Sequence, residues 1–237
     1  MPWDAQILQS AVERHRAGDL NSAARSYREI LRTNPAHADA LHLLGVACHQ
    51  QGDHLAGIDF ISRAIAQKPS SPAFHSNLGA ACRAAGRLKD AADSFREALR
   101  LDPGHGDALF NLANTCRALG DLEGAADYYR QYLQRVPRSV EALVALAAVR
   151  QSRQQIPEAL ACLERVLEIE PDRADALNDL GSLLKSAGRL DEAADVFRRL
   201  IARKPHFAAA HHNLANIERS RRHYDIARHH YETALRL

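Results

Sequence analysis

Residues 34–45, NPAHADALHLLG, return as KPSSPAFHSNLG at 68–79, DPGHGDALFNLA at 102–113 and VPRSVEALVALA at 136–147. They return again as EPDRADALNDLG at 170–181 and KPHFAAAHHNLA at 204–215. The prolines Pro35, Pro69, Pro103, Pro137, Pro171 and Pro205 are each 34 residues apart. Recurrence at one fixed period is the mark of a repeat architecture, in which each unit is one supersecondary element stacked on its neighbours. With proline at repeat position 32, units begin near residues 4, 38, 72, 106, 140, 174 and 208, and residues 1–237 form one domain of seven units.

The columns of this register have physical meanings. Position 8 is small throughout (Ala11, Gly45, Gly79, Ala113, Ala147, Gly181, Ala215), as is position 20 (Ala23, Gly57, Ala91, Ala125, Ala159, Ala193, Ala227). Position 24 is large in every unit (Tyr27, Ile61, Phe95, Tyr129, Leu163, Phe197, Tyr231). Small residues let two helices approach closely, and the large one fills the space beside them. Glycine at position 15 (Gly18, Gly52, Gly86, Gly120, Gly188) suits a left-handed cap that ends a first helix. Proline at 32 ends the second helix, because the residue before proline avoids the α region. Gln154 and Arg222 replace that glycine in the fifth and seventh units, which predicts local differences at those turns. Pro157 stands at the start of a second helix, where proline is tolerated.

These columns resemble the tetratricopeptide repeat family over the whole chain. The resemblance implies an all-α solenoid, a right-handed superhelix of helix-turn-helix units with a concave inner face. First-helix positions 4, 7, 8 and 11 share a packed side at about 100° per residue. By the family's geometry positions 2, 5, 6, 9, 12 and 13 line the concave groove. The residues expected there are Asn77, Arg83, Phe110, Asn111, Asn114, Arg117, Asn178, Lys185, Asn213, Asn216 and Arg219. Position 5 also contributes His42 and His212, and Val144 joins Phe110 as an apolar anchor. Asparagine is a mediocre residue inside a helix, so its recurrence on one face asks for a reason. An amide both donates and accepts, and a row of amides holds an extended peptide backbone without reading its sequence.

This row is similar to the asparagine ladder in the tetratricopeptide arm of protein O-GlcNAc transferases. The segments His75–Pro103 (HSNLGAACRAAGRLKDAADSFREALRLDP) and Leu177–Ile201 (LNDLGSLLKSAGRLDEAADVFRRLI) carry the resemblance, and repeats 3, 4, 6 and 7 share it. The ladder is incomplete, since Leu43, Ala145 and Asp179 stand where an asparagine is wanted. The family's dicarboxylate clamp for chaperone tails finds no register. Upstream of Asn77, Asn111 and Asn213 its places hold His42 and Val46, Ser76 and Ala80, and Asn178 and Ser182. The basic column at position 12 (His15, His49, Arg83, Arg117, Lys185, Arg219) is able to steer an acidic partner. The macrodipole at a helix C-terminus accounts for it without a partner, and is the preferred reading.

Composition narrows the function. Apolar residues are 46%, charged 25%, aromatic only 5%, and the formal net charge is +2. That charge predicts neither nucleic acid nor membrane as partner. No apolar stretch approaches a spanning helix and the N-terminus does not read as a signal peptide, so the expected location is cytoplasmic. Cys48, Cys82 and Cys116 share position 11 of successive units, too far apart for a disulfide or a zinc site, and with Cys162 read as core residues. The thirteen histidines include no HExxH spacing. No nucleophile elbow, P-loop or dinucleotide fingerprint is present, so neither catalysis nor a cofactor is expected. The run Arg219, Arg221, Arg222 reads as turn solvation.

The expected function is a scaffold that holds a protein or peptide in the groove. The alternative is the substrate-recruiting arm of a larger transferase, of the O-GlcNAc transferase type. Terminal repeats need a polar cap, and Ala234, Leu235 and Leu237 supply none. A downstream domain or self-association is therefore expected at the C-terminal end.

Overall fold

The computed structural model describes residues 3–237, which hold fourteen α-helices and no strand. In chain order they are α1 (Trp3–Arg16), α2 (Leu20–Thr33), α3 (Ala38–Gln50), α4 (His54–Gln67) and α5 (Pro72–Ala84). Next come α6 (Leu88–Leu101), α7 (Gly106–Leu119), α8 (Leu122–Arg135), α9 (Val140–Ser152) and α10 (Ile156–Ile169). The last four are α11 (Ala174–Ser186), α12 (Leu190–Arg203), α13 (Ala208–Ser220) and α14 (Tyr224–Arg236). First helices from α3 onward begin at 38, 72, 106, 140, 174 and 208, where the proline register puts them. The fold is an all-α helical repeat. Among the described residues no helix is long and apolar enough to cross a membrane.

Two compact units divide the chain, Met1–Tyr128 and Tyr129–Leu237. In the first, each helix from α1 to α7 packs on the next, and first helices also touch across a repeat, as α3 does α5 and α5 does α7. In the second, the same succession runs from α9 to α14, and α11 touches α13.

Within a repeat the two helices meet through the small columns. A methyl group on Gly79 would lie 2.7 Å from a ring carbon of Phe95, and one on Gly181 would lie 2.7 Å from Phe197. At Gly45 it would meet Ile61 at 2.6 Å and the Gly57 carbonyl at 2.9 Å. Phe95, Phe197 and Ile61 are fully buried. The four cysteines are buried free thiols, and burial raises their pKa values, that of Cys116 to about 11. The buried face of the first helices is wider than the period suggests. Position 3 (Ala40, Phe74, Ala108, Ala142, Ala176, Ala210) and position 10 (Ala47, Ala81, Thr115, Val149, Leu183, Ile217) are buried as well. A first helix packs on the preceding repeat as well as on its own partner, so it needs apolar surface on two sides.

Helix ends follow local chemistry. Residues before the prolines cap the second helices outside the α region: Asn34, Lys68, Asp102, Glu170 and Lys204 have φ between −139° and −129° and ψ between 75° and 95°. The side chains of Asp19 and Asp53 accept from the backbone N–H of Ser22 and Ala56, capping α2 and α4. First helices end at a left-handed residue, with φ from 76° to 89° at Gly18, Gly52, Gly86, Gly120 and Gly188.

The turns at Gln154 and Arg222 do not differ as the sequence led us to expect. These residues take the same left-handed backbone, φ 61° and 65°. The closing hydrogen bonds are also kept: Gln155 N–H to Arg150 O and His223 N–H to Glu218 O, both 2.9 Å, like Asp53 N–H to Cys48 O. The next helix must start in register to pack, so tertiary contacts hold a conformation that costs an L-residue about 1–2 kcal/mol. Gln154→Gly and Arg222→Gly are each expected to stabilise the fold by about 0.5–1 kcal/mol, glycine's greater freedom when unfolded offsetting part of the gain. Urea denaturation midpoints of the two variants check this; an unchanged or lower midpoint contradicts it.

Candidate functional site

The first helices leave one side of each repeat free of core packing, and the expected site residues fall there in two groups. Asn77, Arg83, Phe110, Asn111, Asn114 and Arg117 belong to the first unit. Asn178, Lys185, Asn213, Asn216 and Arg219 belong to the second.

In the first unit, Asn77 on α5 and Asn111 on α7 line one shallow cleft of about 190 Å³ with Ala73, Ser76, Ala80, His105 and Asp107. Both amides are half-buried. Asn111 accepts through Oδ1 from Arg83 Nη2 at 3.5 Å. Asn77 donates from Nδ2 to His42 Nε2 at 2.8 Å. Asn114 donates to the Phe110 carbonyl of its own helix at 3.0 Å. Arg117 is exposed.

In the second unit, Lys185 Nζ on α11 donates to Asn213 Oδ1 on α13 at 2.6 Å. Asn216 Oδ1 accepts from the Tyr231 hydroxyl at 2.7 Å. Asn178 Nδ2 reaches Asp179 at 3.5 Å, and its buried Oδ1 has no hydrogen-bond partner among the described residues. A buried acceptor left open is uncommon. The expected amides therefore do different work: Asn114 and Asn216 are bound to neighbouring structure, while Asn111 and Asn213 meet a cation from the preceding repeat.

Two features escaped the sequence. Glu218 takes position 11, where four other repeats carry cysteine or leucine and two carry arginine (Arg14, Arg150), and its side chain is only 3% exposed. It gathers Arg198 at 2.8 Å, Arg221 at 3.2 Å and His223 at 2.8 Å, and Arg221 also pairs with Asp191. Burial alone would raise its pKa. The hydrogen bond from His223 and the charges of Arg221 and Arg198 win, and hold it below the usual value. The local signal was the one acid in a column that is otherwise cysteine, leucine or arginine. The second is His42, expected in the groove but only 9% exposed and stacked on Phe74 with ring centroids 4.2 Å apart.

A family model described as "Tetratricopeptide repeat" matches residues 8–72, 62–105, 76–140 and 144–206, and a second of the same description matches 207–237. Among solved structures, that of YrrB, "a TPR protein with an unusual peptide-binding site", aligns with TM-score 0.71 at 19% identity. The match covers 79% of this chain and 96% of that one. PilW, a "widely conserved type IV pilus biogenesis factor", aligns with TM-score 0.70 at 20% identity, over 92% of this chain and 99% of its own. PilF from Pseudomonas aeruginosa gives TM-score 0.70 at 18% identity, over 85% and 92%. At these identities the likeness shows the fold. No curated protein sequence matches this chain.

Burial pushes the pKa of His42 from 6.5 down to about 4; Lys68 and His15 act in the same direction, against Asp39. Folded, the ring stays neutral and accepts from Asn77; unfolded, it takes a proton near its ordinary pKa. The unfolded chain thus binds more protons between these values, so stability falls as pH drops from about 6.5 towards 4. His42→Gln keeps an acceptor but cannot ionise. It is expected to lose about 2 kcal/mol less than the parent between pH 7 and pH 5 in urea titrations. Equal losses in both proteins would refute this account of His42.

Proposed function

Because this chain belongs to the tetratricopeptide repeat family, we propose that it is a non-enzymatic scaffold that holds an extended segment or helix of a partner protein. The partner lies on the polar face of the first helices. The observation that carries this reading is the cleft between α5 and α7, where Asn77 and Asn111 stand side by side, half-exposed, on otherwise packed helices. Such amides bond the peptide backbone common to all sequences, and Phe110, next to Asn111 on α7, offers apolar contact. YrrB, with its peptide-binding site, lends support from a protein of the same fold. Nucleic acid and membrane are not proposed as partners. The alternative, an arm of an O-GlcNAc transferase-like enzyme, rests on the resemblance of His75–Pro103 and Leu177–Ile201 alone.

A second contact belongs to the C-terminal repeat. Tyr231, Ala234 and Leu235 stand 34 residues after Phe197, Leu200 and Ile201. Phe197 and Leu200 are fully buried, and α13 packs on α12. Leu235 is 87% exposed and, with Tyr231, Ala234, Ala208 and Ala209, lines an apolar cleft of about 520 Å³. A downstream helical segment or a second copy of the chain fits that surface.

The groove reading is tested with Asn111→Ala combined with Asn213→Ala. Each amide gives up a single hydrogen bond to a cation of the preceding repeat, so helicity and melting should stay close to those of the parent. Each lost amide contact costs about 1 kcal/mol, so capture from a peptide library should weaken about tenfold or more. Undiminished capture by a folded double variant would sink the proposal.

A further inference from the structure

Position 4 of the first helix is leucine or isoleucine in five of the seven repeats: Ile7, Leu41, Leu109, Leu143 and Leu177. The third and seventh repeats carry His75 and His211 there. Both rings are tied to the backbone in the same way. His75 Nε2 lies 2.9 Å from the carbonyl oxygen of Pro69, and His211 Nε2 lies 3.0 Å from that of Pro205. A carbonyl only accepts, so Nε2 carries the proton and the neutral ring has its lone pair on Nδ1.

What stands opposite that lone pair differs between the two repeats. Position 23, on the second helix, is Ser94 in the third repeat and His230 in the seventh. His230 Nδ1 on α14 is 3.0 Å from His211 Nδ1 on α13, with ring centroids 5.2 Å apart. In the free protein His230 donates its Nδ1 proton to His211. With that proton on Nε2 instead, two lone pairs converge. Two nitrogens at this separation subtend about 90° at an ion about 2.1 Å from each. That is the angle between neighbouring ligands in square-planar and octahedral coordination, the tetragonal geometry in which Cu²⁺ and Ni²⁺ take nitrogen ligands.

The surroundings suit an ion. A hydrogen bond from the far nitrogen to a backbone carbonyl is the contact that orients a ligating histidine. His211 is buried, and His230 lines a cleft of about 490 Å³ with Ile201, Leu214, Glu218 and Ile226, which gives an ion and its waters a way to the pair. Burial, together with His211 and His229, holds the pKa of His230 below its ordinary value. The ring is therefore uncharged at neutral pH, as a metal ligand must be. Arg198 shares the cleft, but Glu218 and Asp195 are paired with it. Among the described residues no group of three histidine, cysteine or carboxylate side chains encloses an ion, so water completes the coordination. The carbonyl bond alone accounts for a histidine at position 4, as His75 shows. It does not account for a second imidazole set against the free nitrogen of the first.

We propose that His211 and His230 form a binding site for a divalent transition ion of the Ni²⁺ or Cu²⁺ kind, which clasps α14 to α13. The site lies within the second unit and does not depend on the groove reading, since position 4 belongs to the packed side of the first helix.

The test is isothermal titration calorimetry of NiCl₂ into the full chain, carrying no polyhistidine tag, at neutral pH. Saturable binding is expected with NiCl₂ and none with MgCl₂, because Mg²⁺ takes oxygen ligands. His211→Leu supplies the residue type of Leu177, and His230→Ser that of Ser94, so each variant carries a side chain the repeat already accepts. Each should weaken Ni²⁺ binding about tenfold or more. His75→Leu, which loses the same carbonyl bond but faces no second ring, should leave it unchanged. Ni²⁺ should also raise the melting temperature of the parent more than that of either variant. His49 and His54 form another pair, Nδ1 to Nδ1 at 3.0 Å, but no carbonyl orients either ring. Loss of binding in His49→Ala with none in His211→Leu moves the ion to that pair and overturns the proposal. Absence of Ni²⁺ binding, or equal binding by the parent and both variants, overturns it as well.

Discussion

The fold depends on how closely two helices of one repeat approach each other. At Gly79 and Gly181 the distance leaves no room for a methyl group, because the rings of Phe95 and Phe197 already occupy it. At Gly45 the limit is the Gly57 carbonyl of the facing helix. Packed interiors tolerate neither a void nor an extra carbon, so the small columns and the large column must change together or not at all. Aromatic residues are scarce in this chain, yet Tyr27, Phe95, Tyr129 and Phe197 are fully buried at the same repeat position.

Close approach demands that helices start and stop in register. Two backbone devices meet that demand: a left-handed residue after the first helix in every repeat, and a residue outside the α region before the proline that follows most second helices. The fifth and seventh repeats show which side of the bargain is stronger. Gln154 and Arg222 take a strained backbone because the packing that follows outweighs the local preference. With helix lengths held constant, the first-helix positions that avoid the core recur at the same place in each repeat, which is how Arg83 and Lys185 come to make the same contact in different units.

The polar face was legible as a set of residue types. What each one touches was less so. Asn77 and Asn111 were chosen alike as ladder residues, but one bonds a buried histidine and the other a cation from the preceding repeat. His42 carries the sequence appearance of a groove residue, and the Phe74 ring of the following repeat covers it. Glu218 reads as part of a charged turn, and it is the buried centre of an ion-pair cluster. For the two amides and His42 the deciding partner lies on another helix, as does Arg198 for Glu218, and one-dimensional spacing carries no information about it.

The sequence by itself determined the repeat, its length, the helix boundaries and the inner columns, because these follow from local rules. Proline, glycine and side-chain volume act over a few residues, and repetition prints each rule several times. The tertiary structure alone decided how far burial spreads over the first helices, which amides are already bonded, and which charges are paired. Those properties belong to pairs of side chains brought together across helices, where distance and desolvation set the energy and residue type does not.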